Sequence, residues 1–169
     1  MEPTIREAEL ADVPALSALA TRTWSDAFGD GVSREDEAAE LEENRSETYF
    51  RNALVEKTIL VAEAGGAMVG YVQFFDGHIQ RVYVETALQG RGVGRKLIEA
   101  ALRHPRLASA RRISLQVWEE NSRAVRLYES FGFERAGTTT FTIGSEVMED
   151  LVMVLDRGQG ETAMRSGQS

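Results

Sequence analysis

Three glycines at alternate positions, with two arginines and a lysine among them, make Gln89-Gly90-Arg91-Gly92-Val93-Gly94-Arg95-Lys96 the segment best equipped for chemistry. Glycine lets a backbone approach a ligand closely. A helix opening near Val93 would add unpaired N–H groups and the positive end of its dipole, aimed at one place. Such an arrangement holds an oxyanion or a pyrophosphate. A plain packing turn uses the same glycines, so the segment alone leaves both readings open. Two phosphate motifs fail on it. A P-loop needs Lys-Ser/Thr after its last glycine, where this chain has Arg95-Lys96-Leu97. The dinucleotide fingerprint fits at Gly90 and Gly92 but meets Arg95 at its third position.

The charge around this segment is uneven. Overall the chain is acidic, with 27 Asp+Glu against 19 Lys+Arg, which argues against a nonspecific nucleic-acid binder. Seven acids and two arginines fall between Arg34 and Glu47, whereas residues 91 to 126 carry nine basic side chains. One region suits a cation and the other an anion. The acidic run also reads as an ordinary solvated helix face. With no cysteine there is no thiolate zinc site, disulfide or cysteine nucleophile, and no metal is expected. No apolar run approaches the ~18 residues of a membrane span, and the N-terminus lacks a secretory core. A cytoplasmic protein is expected, with no membrane and no nucleic-acid partner.

Periodicity supplies the scaffold around the glycine segment. Thr4 to Glu7 reads as a short strand, and Asp12 with Pro14 opens a helix carrying Val13, Leu16, Leu19 and Ala20 at helical spacing. A loop over 28–31 leads to an acidic helix with Ser33 and Asp36 in capping-box spacing, then a helix through Tyr49, Phe50 and Leu54. Strands over 58–63, 68–75 and 78–84, separated by Gly65-Gly66 and Asp76-Gly77, make an antiparallel meander. A helix from Val93 stops near Pro105, a strand covers 113–118, a helix covers 122–131, and two last strands lie around 133–143 and 148–155. Residues 1–156 read as one domain and 157–169 as a mobile tail.

Gln89-Gly90-Arg91-Gly92-Val93-Gly94 after the strand Val82-Tyr83-Val84 resembles the coenzyme A signature of the GNAT acetyltransferase superfamily, Gln/Arg-x-x-Gly-x-Gly/Ala. A second segment, Asn121 to Phe133, is similar to the superfamily's Asn-x-x-Ala-x-x-(Leu/Phe)-Tyr-x-x-x-Gly-Phe. Arg81-Val82-Tyr83-Val84, Val117-Trp118-Glu119-Glu120-Asn121 and the late strands look closest to PaiA-type polyamine N-acetyltransferases. The resemblance implies an α/β (α+β) GNAT fold: a mixed, mostly antiparallel sheet of six to seven strands, about four helices, and two splayed parallel central strands. It also implies acetyl-CoA as co-substrate, lying between the strand that ends at Val84 and the strand from Ile113. The implied cofactor residues are Val82, Tyr83 and Val84, with backbone groups of Val82 and Val84 pairing with the pantetheine, and then Gln89 with Gly90, Arg91, Gly92, Val93, Gly94 and Arg95, the amides from Gly90 to Arg95 holding the pyrophosphate. Asn121 would sit beside the pantetheine arm.

The same resemblance makes Tyr128 the acid that protonates the departing thiolate, against its reading as a half-buried helix tyrosine. It sets His78, eleven residues before Gln89, where several histone acetyltransferases carry a catalytic Glu. The other reading of His78 is a surface turn histidine after Asp76-Gly77. Gln116 stands where ribosomal-protein acetyltransferases carry Glu, and it cannot act as a base. Glu119 and Glu120 are further candidates. The implied reaction is direct attack of a primary amine on acetyl-CoA. The acceptor expected is a polyamine such as spermidine, with a peptide or protein N-terminus, or a silent acyl-CoA-binding role, as alternatives. Pairing of late strands into a homodimer is a further expectation.

Overall fold

The computed structural model describes residues 2–28 and 31–157. One seven-stranded sheet runs through it, in the order β1-β2-β3-β4-β5-β7-β6. Its strands are β1 (Thr4–Glu7), β2 (Thr58–Ala64), β3 (Ala67–Phe75), β4 (His78–Val84), β5 (Arg112–Trp118), β6 (Glu134–Ile143) and β7 (Glu146–Asp156). Every neighbouring pair is antiparallel except β4 with β5. That parallel pair is joined by the crossover helix α4 (Val93–Arg103), as parallel neighbours require.

The helices before the meander are α1 (Val13–Phe28), α2 (Arg34–Arg45) and α3 (Glu47–Glu56). After α4 come a four-residue α5 (Pro105–Ala108) and α6 (Ser122–Ser130). Among the described residues, five longer helices thus stand where about four are expected. The additional short α5 has a local cause: Pro105 ends the helix before it and also opens the next at N1, with the His104 side chain accepting from Arg106 N–H at 3.2 Å. Ser33 caps α2, accepting from Asp36 N–H at 3.1 Å. The expected tail beyond residue 157, and Gly29-Asp30 of the expected loop, lie outside the described residues. Arg157 itself is tied down: its N–H donates to the Arg111 carbonyl at 2.7 Å, and its guanidinium reaches the Leu102 and Leu107 carbonyls.

Strand alternation divides the core. Leu60, Val72, Phe74 and Ile79 pack with Leu97 and Ile98 of α4 and Val125 and Tyr128 of α6 on one face. Ile59, Val61 and Tyr71 pack with Leu16, Leu19 and Phe50 of α1 and α3 on the other. No helix among the described residues is long and apolar enough to cross a membrane.

Two irregularities open the centre of the sheet. In β4, Arg81 faces Gln73 and Ile79 faces Phe74, so Gln80 is an extra residue without an opposite number, a β-bulge. In addition, β4 and β5 pair only at His78↔Ser114 and Ile79↔Leu115. Beyond the bulge the two strands diverge, leaving a V between residues 81–84 and 116–118.

Candidate active site

The side of β4 that faces the V is set by its pairing with β3. Glu85 N–H donates to the Val69 carbonyl at 2.8 Å. In an antiparallel ladder the backbone groups alternate in direction, so Tyr83 and Arg81 also point their N–H and C=O at β3. The N–H and C=O of Val82 and Val84 therefore point into the V, where no strand among the described residues meets them; the Val84 carbonyl accepts only a long contact, 3.4 Å, from Gln89 Nε2. This is an unfilled place for one extended chain.

At the mouth of the V lies a cavity of about 270 Å³. Val82 and Val84 form one wall. Gln89, Gly90, Gly92, Gly94 and Arg95 come from the glycine turn and α4, and Asn121, Ala124 and Tyr128 come from α6 and its cap. Gly92 is the N-cap of α4 at φ 90°, a left-handed conformation that a side chain disfavours. Lys96 N–H closes the first helical bond to the Gly92 carbonyl, so the N–H groups of Val93, Gly94 and Arg95 have no helical partner. Asn121 caps α6, its Oδ1 accepting from Ala124 N–H at 3.2 Å. Two helix N-termini thus converge on one cavity, and the combination is strongly favourable to an anion.

Tyr128 is 7% exposed and its ring packs on Phe133. Burial, reinforced by the nearby Tyr83, pushes its phenol above the ordinary range, so the group keeps its proton at neutral pH.

Three expected cofactor residues stand apart from this cavity's lining. Val93 is buried in the core under α4, Arg91 is exposed on the turn, and alternation turns the Tyr83 side chain to the opposite face. Arg123 lines the cavity although it is not among the residues expected there, its guanidinium lying beside Gly90. The available signal for it is a basic residue in the first turn of the second motif's helix.

The opposite face of the V carries His78, Gln80, Arg81 and Tyr83 of β4, together with Gln116 and Trp118 of β5. His78 sits at the closed end, half-buried, sharing a 2.9 Å hydrogen bond between Nδ1 and Ser114 Oγ. Burial, and then Lys57, hold its imidazole below the usual histidine range. To take a proton at Nε2 it must donate from Nδ1 to Ser114. Glu119 and Glu120 are exposed in the turn after β5. Asp150 on β7, opposite Trp118, is a carboxyl raised by burial, and no sequence pattern singles it out.

The acidic helix α2 turns one of its own cations inward. Arg45 is 6% exposed and is paired with Glu40 at 2.6 Å. It also donates to the Tyr83 hydroxyl at 2.8 Å and lies over Trp24. Trp24, Phe28, Trp118 and Phe141 form an aromatic wall beside it, with the Phe28 centroid 5.4–6.3 Å from each of the other three.

The family model for "Acetyltransferase (GNAT) family" matches residues 15–133, which include both the glycine turn and α6. An uncharacterized N-acetyltransferase of Mycobacterium tuberculosis is 32% identical, over 86% of this chain and 97% of its own. The L-methionine sulfoximine/L-methionine sulfone acetyltransferase of Salmonella typhimurium is 29% identical over 77% of this chain and 79% of its own. The spermine/spermidine N(1)-acetyltransferase of Bacillus subtilis is 37% identical over a shorter stretch, 41% of this chain and 46% of its own. Among solved structures, the PaiA N-acetyltransferase of Thermoplasma acidophilum in complex with coenzyme A superposes with a TM-score of 0.76 at 20% identity, over 92% of this chain and 99% of that one. An unfilled strand position, two converging helix N-termini and a family model spanning both make this chain a member of the GNAT family, an acetyltransferase whose co-substrate is acetyl-CoA.

Proposed function

We propose that the chain transfers acetyl from acetyl-CoA to the primary amine of a small molecule by direct attack. The pantetheine would occupy the V as its missing strand, paired with Val82 and Val84, and the pyrophosphate would lie under the N-termini of α4 and α6. The free amine reaches the thioester from the face carrying His78, Gln116 and Trp118. Its nitrogen forms a bond to the acetyl carbon while the carbon–sulfur bond breaks. Tyr128 gives its proton to the leaving thiolate, and the proton lost by the amine passes to His78, directly or through water. The observation that carries this reading is Tyr128: a phenol held protonated by burial, lining the same cavity as the glycine turn. A module that only bound CoA would have no use for it.

Two acceptor classes have support. The polyamine reading rests on the partial likeness to the Bacillus enzyme and on the acidic run. The amino-acid reading rests on the longer likeness to the Salmonella enzyme.

The test is Tyr128→Phe, assayed by thiol release and by calorimetry with CoA. We expect kcat to fall by about 10²-fold or more while the Kd for CoA stays within twofold. An unchanged kcat across neutral pH would mean that water protonates the thiolate and that Tyr128 is a packing residue.

A further inference from the structure

The acceptor face of β4 holds more positive charge than an amine substrate needs. Arg81, just past the bulge, is partly buried. It donates to the Asn44 carbonyl at 2.7 Å and lies over the Tyr49 ring at 4.4 Å, but no carboxylate among the described residues pairs with it. Lys57 stands nearby in the same condition, donating to the Gln80 amide oxygen at 2.9 Å. Arg45 is the third cation, and Glu40 is the acid it uses. Asp150 lies across the V on β7, and Glu85, beyond the far end of β4, is engaged by Arg22. Against this part of β4, then, three cations hold one carboxylate in an ion pair, while Glu42, Glu43 and Glu56 line the surface cavity that Tyr49 and Lys57 share.

Two buried polar atoms flank Arg81. Gln73 is its cross-strand partner on β3, and the Tyr71 phenol lies close enough to feel the guanidinium charge. Both residues are fully buried, and neither Tyr71 Oη nor Gln73 Oε1 has a well-formed hydrogen bond among the described residues. Gln73 Oε1 only accepts, so a carboxylate cannot meet it; the Tyr71 O–H is a donor, and a buried donor left unmet is costly. A guanidinium with donors to spare, beside an under-used phenol hydroxyl, is a receptor for a planar oxyanion. An ammonium placed there would face like charge.

We propose that the acceptor is an amine bearing its own carboxylate, an amino-acid-type substrate, and that Arg81 is the specificity-determining residue that receives the carboxylate. The inference rests on the acetyl-transfer reading above. Held at Arg81, the carboxylate leaves the amine of the same molecule to extend along the V toward the thioester.

Arg81 also caps the carboxyl end of α2 through the Asn44 carbonyl, a purely structural duty that removal would disturb. The test therefore reads selectivity. Wild-type enzyme is assayed with a panel of L-amino acids, their carboxamides, their decarboxylated amines and spermidine, at matched ionic strength. We expect the best acid to exceed its amide in kcat/KM by about tenfold or more, the worth of one charge-assisted contact. Arg81→Gln should bring that ratio toward one through KM for the acceptor, with KM for acetyl-CoA unchanged, and Arg81→Lys should keep part of it. A lowered Tm alone, with the ratio intact in the folded variant, would show a cap and overturn the proposal. Amides or spermidine equal to or better than every acid in the wild type would overturn it too, while leaving the acetyltransferase standing. If CoA binds and no amine turns over, the acetyl-transfer reading itself falls.

Discussion

The two sides of the V offer a ligand different kinds of group. On the proposed cofactor side they belong to the backbone: Val82 and Val84 of β4, the first turn of α4 after Gly92, and the cap of α6. On the acceptor side they are side chains drawn from distant segments, with Arg45 of α2, Tyr49 and Lys57 around α3, Gln73 of β3 and Arg81 of β4 meeting over one patch of sheet. Backbone recognition needs glycines and a strand at fixed spacing, and so leaves a contiguous mark in the sequence. Side-chain recognition leaves none, because its residues are brought together only by folding. The cofactor side is thus built to stay the same, and the acceptor side is free to change.

His78 puts that contrast under most strain, since it belongs to the acceptor face yet is marked by its spacing from the glycine turn. His78→Gln should lower kcat/KM by about 10²- to 10⁴-fold if the imidazole is the base. The sign of its pH dependence comes from its environment. Burial and Lys57 favour the neutral ring, so wild-type kcat/KM should stay level as pH falls through about 6.5 and drop only below that. The same depressed value makes the folded state bind protons less readily than the unfolded, so its contribution to stability is present above the unfolded value and lost as pH falls. A His78→Gln enzyme with unaltered rate and profile would assign the residue to strand pairing with Ser114.

A smaller effect probes the cofactor side through the strand beneath it. A methyl group at Gly70 would lie 2.9 Å from the Tyr83 carbonyl and 3.1 Å from a Leu97 methyl. The first of these is backbone of β4 and cannot swing aside. Gly70→Ala should cost about 1–3 kcal/mol in denaturant unfolding and raise KM for acetyl-CoA by moving β4. Unchanged values of both would show that β4 has slack.

The smallest expected change sets two glycines of the turn against each other. At Gly92 a methyl group meets open space, but φ of 90° makes any side chain strained by about 1–2 kcal/mol. At Gly94 the backbone is ordinary and the methyl would touch Leu127 at 3.4 Å. Gly92→Ala should therefore weaken CoA binding by roughly five- to thirtyfold as that strain is converted to affinity, and Gly94→Ala by less, both read by calorimetry. The reverse order would mean that contact with the ligand outweighs the conformation of the turn.

Legibility in the sequence divides along the same line. Alternation and the Asp-Gly turn bound β4 at 78–84, and the observed strand has those bounds. The glycine turn, α4 and α6 also lie where their motifs put them. The bulge at Gln80 is invisible in advance, because an extra residue in a strand changes no composition and little of the period. Arg45 is hidden for a different reason. Among seven acids an arginine reads as surface charge, whereas its long apolar stem and planar head let it lie against Trp24 and Tyr83 at the end of α2. Arg81 is legible only as part of a strand motif, since its lack of a carboxylate partner is a property of three dimensions.

The brevity of the β4–β5 seam has a consequence for turnover. Two residue pairs alone join the halves of the sheet there, and in the proposed binding mode the co-substrate would supply the rest of the ladder. Each catalytic cycle would then add a strand to the protein and take it away again. Release of the product CoA would have the character of unzipping, in which rungs are lost one after another toward His78 and Ile79. Its speed is set by how firmly those last two pairs hold the halves in register while the gap stands open, so mutations beneath the seam would act as a clutch on the enzyme without touching either substrate.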